Sequence, residues 1–152
     1  MTSKYEELVS NLKIKLKTKN LKFKKIFSLI NNNKYDEILQ IVKDDSIQII
    51  IDNISNERKI IGDNLEKKLN NLIWLNECLI KFNEEPQLTK QKALKILKTK
   101  VFINIYDLES ENYENRSTKE LLKKELRNKR EKRYPLIIAK DNITLKAFLI
   151  KL

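Results

Sequence analysis

A chain of 152 residues with a single glycine, Gly62, and two prolines, Pro86 and Pro135, has few places where its backbone turns sharply. Glycine supplies the left-handed conformation of tight turns and proline interrupts helices, so their scarcity predicts long helices joined by short polar loops. Apolar residues make up 41% of the chain, enough for a core, and the length suits one domain. The expected fold is mainly α, a compact multi-helix bundle. Residues 101–106 and 136–150 are the places where a short strand or hairpin competes.

Periodicity fills in the elements. Ser3-Lys4-Tyr5-Glu6 fits a capping box, and Tyr5, Leu8, Val9, Leu12 and Leu16 follow at helical spacing. Phe23, Ile26, Phe27 and Ile30 continue after a break near Asn20. Tyr35, Ile38, Leu39 and Val42 outline a short helix that stops at Asp44-Asp45, and Ile47, Ile50, Ile51 and Ile54 begin another. Gly62 is placed to end that helix as a left-handed residue, with Asp63 and Glu66 capping the next. Leu65, Leu69, Leu72, Ile73, Leu79 and Ile80 then mark a core helix over 63–82, with Asn76 at the edge of its stripe.

Glu84-Glu85-Pro86 is the natural internal boundary. It separates a helical region 1–85 from a basic region 87–152, the two packed as one domain. Beyond it Thr89 caps a helix carrying Leu94, Leu97 and Val101, while Val101 to Tyr106 suits either a strand or the end of that helix. Ser117 and Glu120 form a capping box for an exposed helix through about Arg133, and Tyr134-Pro135 stops it. Asp141-Asn142 caps a last apolar segment, hydrophobic enough to dock on the core.

The net charge is +11. A chain rich in Ile, Asn and Lys and poor in Gly, Pro, Ala and Arg is what an AT-rich genome produces, so the distribution of charge says more than its sum. Residues 1–30 carry eight lysines against Glu6 and Glu7, residues 31–87 are acidic on balance, and residues 115–152 hold twelve bases against four acids. Within that last stretch lie four of the five arginines: Arg116, Arg127, Arg130 and Arg133. Arg forks onto phosphates and carboxylates where Lys acts as a mobile point charge, so the clustering points to anions.

The block Ile103-Asn104-Ile105-Tyr106-Asp107-Leu108, then Glu120-Leu121, Tyr134-Pro135, Ala139-Lys140 and Leu145-Lys146-Ala147-Phe148-Leu149, resembles the tail of an uncharacterised family of small fungal proteins. The resemblance implies a eukaryotic intracellular protein and carries no activity or site with it.

With no histidine, His-based acid/base work, Ser-His or Cys-His triads and ordinary zinc sites are excluded, and one glycine builds neither a P-loop nor a dinucleotide fingerprint. Cys78 stands alone, which rules out an intramolecular disulfide and suits a reducing compartment, cytoplasm or nucleus. No apolar run is long enough to span a bilayer. Asp107, Glu109, Glu111 and Glu114 are the carboxylates available to a divalent ion, though acidic loops are usually solvated; the expectation is no metal, no cofactor and no enzyme.

The stronger case is phosphate binding by Lys119, Lys123, Lys124, Arg127, Arg130 and Arg133, with Lys123, Arg127 and Arg130 on one helical stripe, and a secondary basic face at Lys90, Lys95 and Lys98. No aromatic residue is interleaved with these cations, so contacts to a DNA or RNA backbone, without base readout, are expected. The alternative is an adaptor or assembly subunit whose amphipathic helices pack on an acidic protein partner, with oligomer formation open in either case.

Overall fold

The computed structural model describes residues 3–139 and 142–149. They form an all-α multi-helix bundle: α1 (Lys4–Thr18), α2 (Phe23–Asn31), α3 (Tyr35–Ile41), α4 (Asp45–Leu69), α5 (Leu72–Lys81), α6 (Lys90–Lys100), α7 (Ile105–Glu109), α8 (Lys119–Asn128) and α9 (Ile143–Phe148). Single 3-10 turns stand at Tyr113–Asn115 and Arg130–Lys132. There is no sheet among the described residues. Where a strand competed, Val101 to Ile103 is an extended connector held by one antiparallel bridge from Phe102 to Ser117, and Asn104 then caps α7.

How a chain with one glycine turns is answered by asparagine. Asn20, Asn33 and Asn83 take the left-handed conformation, at φ 58°, 55° and 60°, one residue past the C-caps of α1, α2 and α5. Each is followed by the long-range amide bond of a Schellman cap: Leu21 onto the Leu16 carbonyl, Lys34 onto Leu29, Glu84 onto Leu79. Asparagine tolerates this conformation better than other side-chain-bearing residues, because its short polar side chain bonds locally. Glu111, at φ 64°, closes α7 with the same pair of bonds.

Gly62 has a different task. It lies inside α4, which continues to Leu69, so the predicted break there and the single core helix over 63–82 give way to a division at Asn70-Asn71 between α4 and α5. A Cβ at position 62 would stand 2.0 Å from the Tyr134 hydroxyl. The glycine makes room for a side chain arriving from the far end of the chain. Glu66, expected to cap its own helix, instead accepts the Leu145 amide at 2.7 Å and the Thr144 amide at 3.3 Å, fastening α9 to α4. Asp141, half of the cap expected there, falls outside the described residues.

The long α4 runs through two hydrophobic cores. One gathers Leu12, Leu16, Phe27, Ile30 and Ile51 from α1, α2 and the first half of α4; the other gathers Leu65, Leu75, Leu79, Leu97, Leu108 and Leu145. Each such side chain, buried completely, stabilises the fold by about 1.5–3 kcal/mol. Tyr106 packs on both.

Between the cores sits Arg58, fully buried at 0% exposure. Its Nε donates to the Tyr106 hydroxyl at 3.0 Å and its Nη2 to the Arg133 carbonyl at 3.2 Å. The guanidinium lies 4.9 Å from the Phe27 ring centre and 5.8 Å from that of Tyr5, which stacks on Tyr106 at 4.2 Å. Two aromatic faces, a phenol and one carbonyl stand in place of the carboxylate that a buried cation usually has.

The neighbouring donors follow the same plan. Asn31 donates to the Arg130 carbonyl, Tyr5 to that of Glu131, Asn104 to that of Lys132, and Tyr106 joins Arg58 on that of Arg133. Four successive carbonyls of the 130–133 segment are thus held by side chains from four different parts of the chain. Burial, with Tyr106 beside it, pushes the Tyr5 phenol well above its ordinary range, so it stays a donor.

Candidate functional site

The predicted basic helix is shorter than its charge pattern. Thr118, one residue after the expected Ser117, caps α8 by accepting the Leu121 amide, and the helix ends at Asn128 because Lys129 is extended, at φ −119° and ψ 96°. Two forces stop it there. The core donors draw the 130–133 carbonyls inward, and the Arg133 guanidinium turns back to donate to the Leu126 carbonyl at 2.6 Å and the Arg127 carbonyl at 3.3 Å. Those are carbonyls of the last helical turn, left without amide partners. The Lys123, Arg127 and Arg130 stripe is therefore broken before its last member.

Arg116 is engaged likewise. It donates to the Phe82 and Lys100 carbonyls at 2.8 and 2.7 Å, lies over the Phe82 ring and pairs with Glu84 at 3.7 Å. Of the clustered arginines, Arg116 and Arg133 spend their planar forks on backbone carbonyls. Arg127 is exposed on α8, and Arg130 is half-buried in the 3-10 turn.

What the fold assembles instead is a cleft of about 730 Å³ between α6, the 101–105 connector, α8, the 132–136 segment and α9. Six basic side chains line it: Lys98, Lys119, Lys123, Lys132, Arg133 and Lys146. No carboxylate does so among the described residues. The floor is apolar, with Ile103, Leu122, Leu126 and Tyr134 buried and Phe102 and Phe148 half-buried. On α8, Lys119, Leu122, Lys123 and Leu126 recur at the spacing of one helix face, so that face supplies cation and floor together.

The sequence-predicted residues divide accordingly. Lys119, Lys123, Arg133 and Lys98 meet at the cleft, whereas Lys124, Arg127, Arg130, Lys90 and Lys95 are not among its lining. Lys90 donates to the Asn70 side chain at 3.0 Å, at the corner where α4 meets α9. Lys98 also reaches the Ala147 carbonyl, tying α6 to α9 across the cleft. Lys132 and Lys146 are additions that sequence reasoning missed; Lys132 keeps an ion pair with Glu125 at 3.6 Å. Both come from segments whose approach to α8 is a matter of tertiary structure.

Other candidates are dispersed or inert. Asp107 is buried, its carboxyl raised by that burial, while Glu111 accepts from the Trp74 indole at 2.9 Å. Among the described residues no three acidic or thiol groups gather as metal ligands would. Burial pushes the Cys78 thiol up to about 11, beside the Tyr113 hydroxyl at 3.1 Å, so little nucleophilic thiolate forms near neutrality. Among the described residues no helix is long and apolar enough to cross a membrane.

Fold and cleft define an all-α helical protein with a cation-lined, apolar-floored groove. Comparison with protein-family models, with curated proteins and with solved structures returned no match for the chain.

Proposed function

We propose that the protein is a non-enzymatic binder of nucleic acid, gripping the phosphate backbone at the cleft between α6, α8 and α9. The observation that carries this reading is the meeting of six basic side chains from separate elements around one groove, with no carboxylate among its described lining. A cluster of that kind draws a polyanion in and releases the counterions condensed on it, which makes affinity fall steeply with salt. The exposed Arg127 and Lys124 of α8 extend the same field beyond the groove.

The test is affinity for generic DNA or RNA measured across salt. A log-log slope of about −0.7 to −0.9 per engaged phosphate is expected, and the triple change Lys98→Gln, Lys119→Gln, Lys123→Gln flattens it by about two. Affinity unmoved by that variant removes the cleft as the site.

A second reading, an assembly subunit on a protein partner, is favoured by one feature. Ile73 and Ile80, two turns apart on α5, are 73% and 59% exposed, an apolar stripe pointing outward. Retention of one protein in a pull-down after nuclease treatment supports it, and loss of that protein on Ile73→Asp with Ile80→Asp assigns the stripe.

A further inference from the structure

We propose that the nucleic acid held in the cleft is single-stranded, and that one of its bases leaves the stack to lie on the apolar floor against Phe102 and Phe148. This rests on the phosphate-binding reading and adds to it the form of the ligand. Backbone phosphates need a charged surface; they do not need a floor. Here the cations surround about 730 Å³ of space lined chiefly by apolar side chains, well within the range that encloses a small organic group.

Two half-buried rings are the particular signal. Phe148 packs on the second core with part of its surface, and Phe102 packs into neither core, yet both line the cleft. An aromatic ring left uncovered beside cations is the element that single-strand binders combine with a basic groove, the ring for the base and the charge for the flanking phosphates. Neither residue is near the basic cluster in sequence: Phe102 arrives on the connector before α7 and Phe148 on α9.

The polar lining says which bases are accepted. Its three uncharged hydrogen-bonding side chains are already engaged, Thr99 on the Lys95 carbonyl, Asn104 between the Tyr106 amide and the Lys132 carbonyl, and the Tyr134 hydroxyl on the Arg58 carbonyl. Nothing uncharged is left to read a base edge, so stacking dominates and sequence preference is weak. The number of cations argues for a strand over a lone anionic head. A single carboxylate or phosphate is satisfied by two or three donors, whereas Lys119, Lys123, Lys132 and Lys146, spread over α8, the 132–136 segment and α9, suit consecutive phosphates on either side of an inserted base.

An abasic strand separates this claim from the one beneath it, since it keeps every phosphate and lacks the bases. With the full chain and labelled thymidine oligomers, the intact strand is expected to bind about five- to hundredfold tighter than the abasic strand of equal length, and tighter than duplex. Phe102→Leu together with Phe148→Leu brings the intact strand down to the abasic level while the salt slope holds. Equal affinity for the two strands, or a preference for duplex, overturns base insertion and leaves phosphate binding standing. Affinity insensitive to salt overturns both. Vesicles containing phosphatidylserine that displace the strand at low concentration, where neutral vesicles do not, overturn the single-strand assignment in favour of a lipid.

Discussion

The waist around Arg58 and the cleft beside α8 are both rich in cationic nitrogen, and they dispose of it in opposite ways. At the waist the guanidinium is buried and held by a phenol, a carbonyl and two aromatic faces. At the cleft the exposed Lys119 and half-exposed Lys123 border apolar surface with no carboxylate among the described lining. The contrast teaches that positive charge does not itself mark a binding site. What marks one is cationic nitrogen that the protein's own carbonyls have not already taken. By that standard Arg116 and Arg133 belong with Arg58, as staples, Lys98 is partly spent on the Ala147 carbonyl, and Lys119, Lys123 and Lys146 carry most of the binding.

The sharpest way to break the comparison is to remove one cation from each region. Arg58→Ala deletes a fully buried side chain, leaves the Tyr106 hydroxyl and Arg133 carbonyl short of a donor and opens a cavity, so a loss of about 3–5 kcal/mol is expected. Arg58→Met fills much of the space and removes the cost of burying charge, and it recovers at least half of that loss. Lys119→Gln shifts stability by no more than about 0.5 kcal/mol. Urea midpoints measure all three, and an Arg58→Ala protein as stable as the Lys119→Gln protein would show that the waist does not hold the two cores together.

Gly62 tests how closely the waist is packed. In an open helix, Gly→Ala stabilises by about 1 kcal/mol. Here the added methyl meets the Tyr134 hydroxyl at 2.0 Å and its ring carbon at 2.9 Å, displacing the donor to the Arg58 carbonyl at 3.0 Å. Strain and the lost bond outweigh the propensity gain, for a net loss of about 1–2 kcal/mol. In a Tyr134→Leu background, with the obstructing ring gone, the same Gly62→Ala change becomes stabilising. A change of sign between the two backgrounds in thermal unfolding confirms the contact; an equal effect in both refutes it.

Much of this molecule was legible before its coordinates. The apolar spacing from Tyr5 to Leu16, the Thr89 cap and the all-α class are local properties, written where they act. Gly62 imitates a helix end in sequence, yet its φ is helical and its reason lies about seventy residues on, in the tyrosine that needs the space. The left-handed turns went to Asn20, Asn33 and Asn83, residues whose abundance looked like codon drift. For the site, charge pattern found Lys98, Lys119, Lys123 and Arg133 but set Arg130 and Arg133 on one helix with Lys119 and Lys123, because carbonyls drawn into a core leave no trace in side-chain identity. Arg58, a lone arginine in an acidic stretch, carries no local mark of its burial. The cleft's aromatics come from remote segments, so no reading of neighbours along the chain finds them.

Asp44 supplies the case between the two regions, a charge that stays half-exposed at the surface yet is engaged by its neighbours as Arg58 is. It caps α4, accepting the Ser46 hydroxyl at 2.6 Å and the Ser46 and Ile47 amides, and pairs with Lys19, just past the end of α1, at 3.3 Å. The Ser46 hydroxyl first, then Lys19, hold its carboxyl down to about 2, below its ordinary 3.8. Because the folded value lies below the unfolded one, the folded state favours the ionised form. Asp44's contribution is complete above the ordinary value and disappears as pH falls from about 4 to about 2. Asp44→Asn keeps a good helix cap and cannot titrate, so its urea midpoint is expected to decline less steeply than the parent's across that window. Other carboxylates titrate equally in both proteins, so the difference between the curves isolates this one. Parallel curves would mean that Ser46 and Lys19 do not hold the ion, and would class Asp44 with the unengaged charges at the cleft.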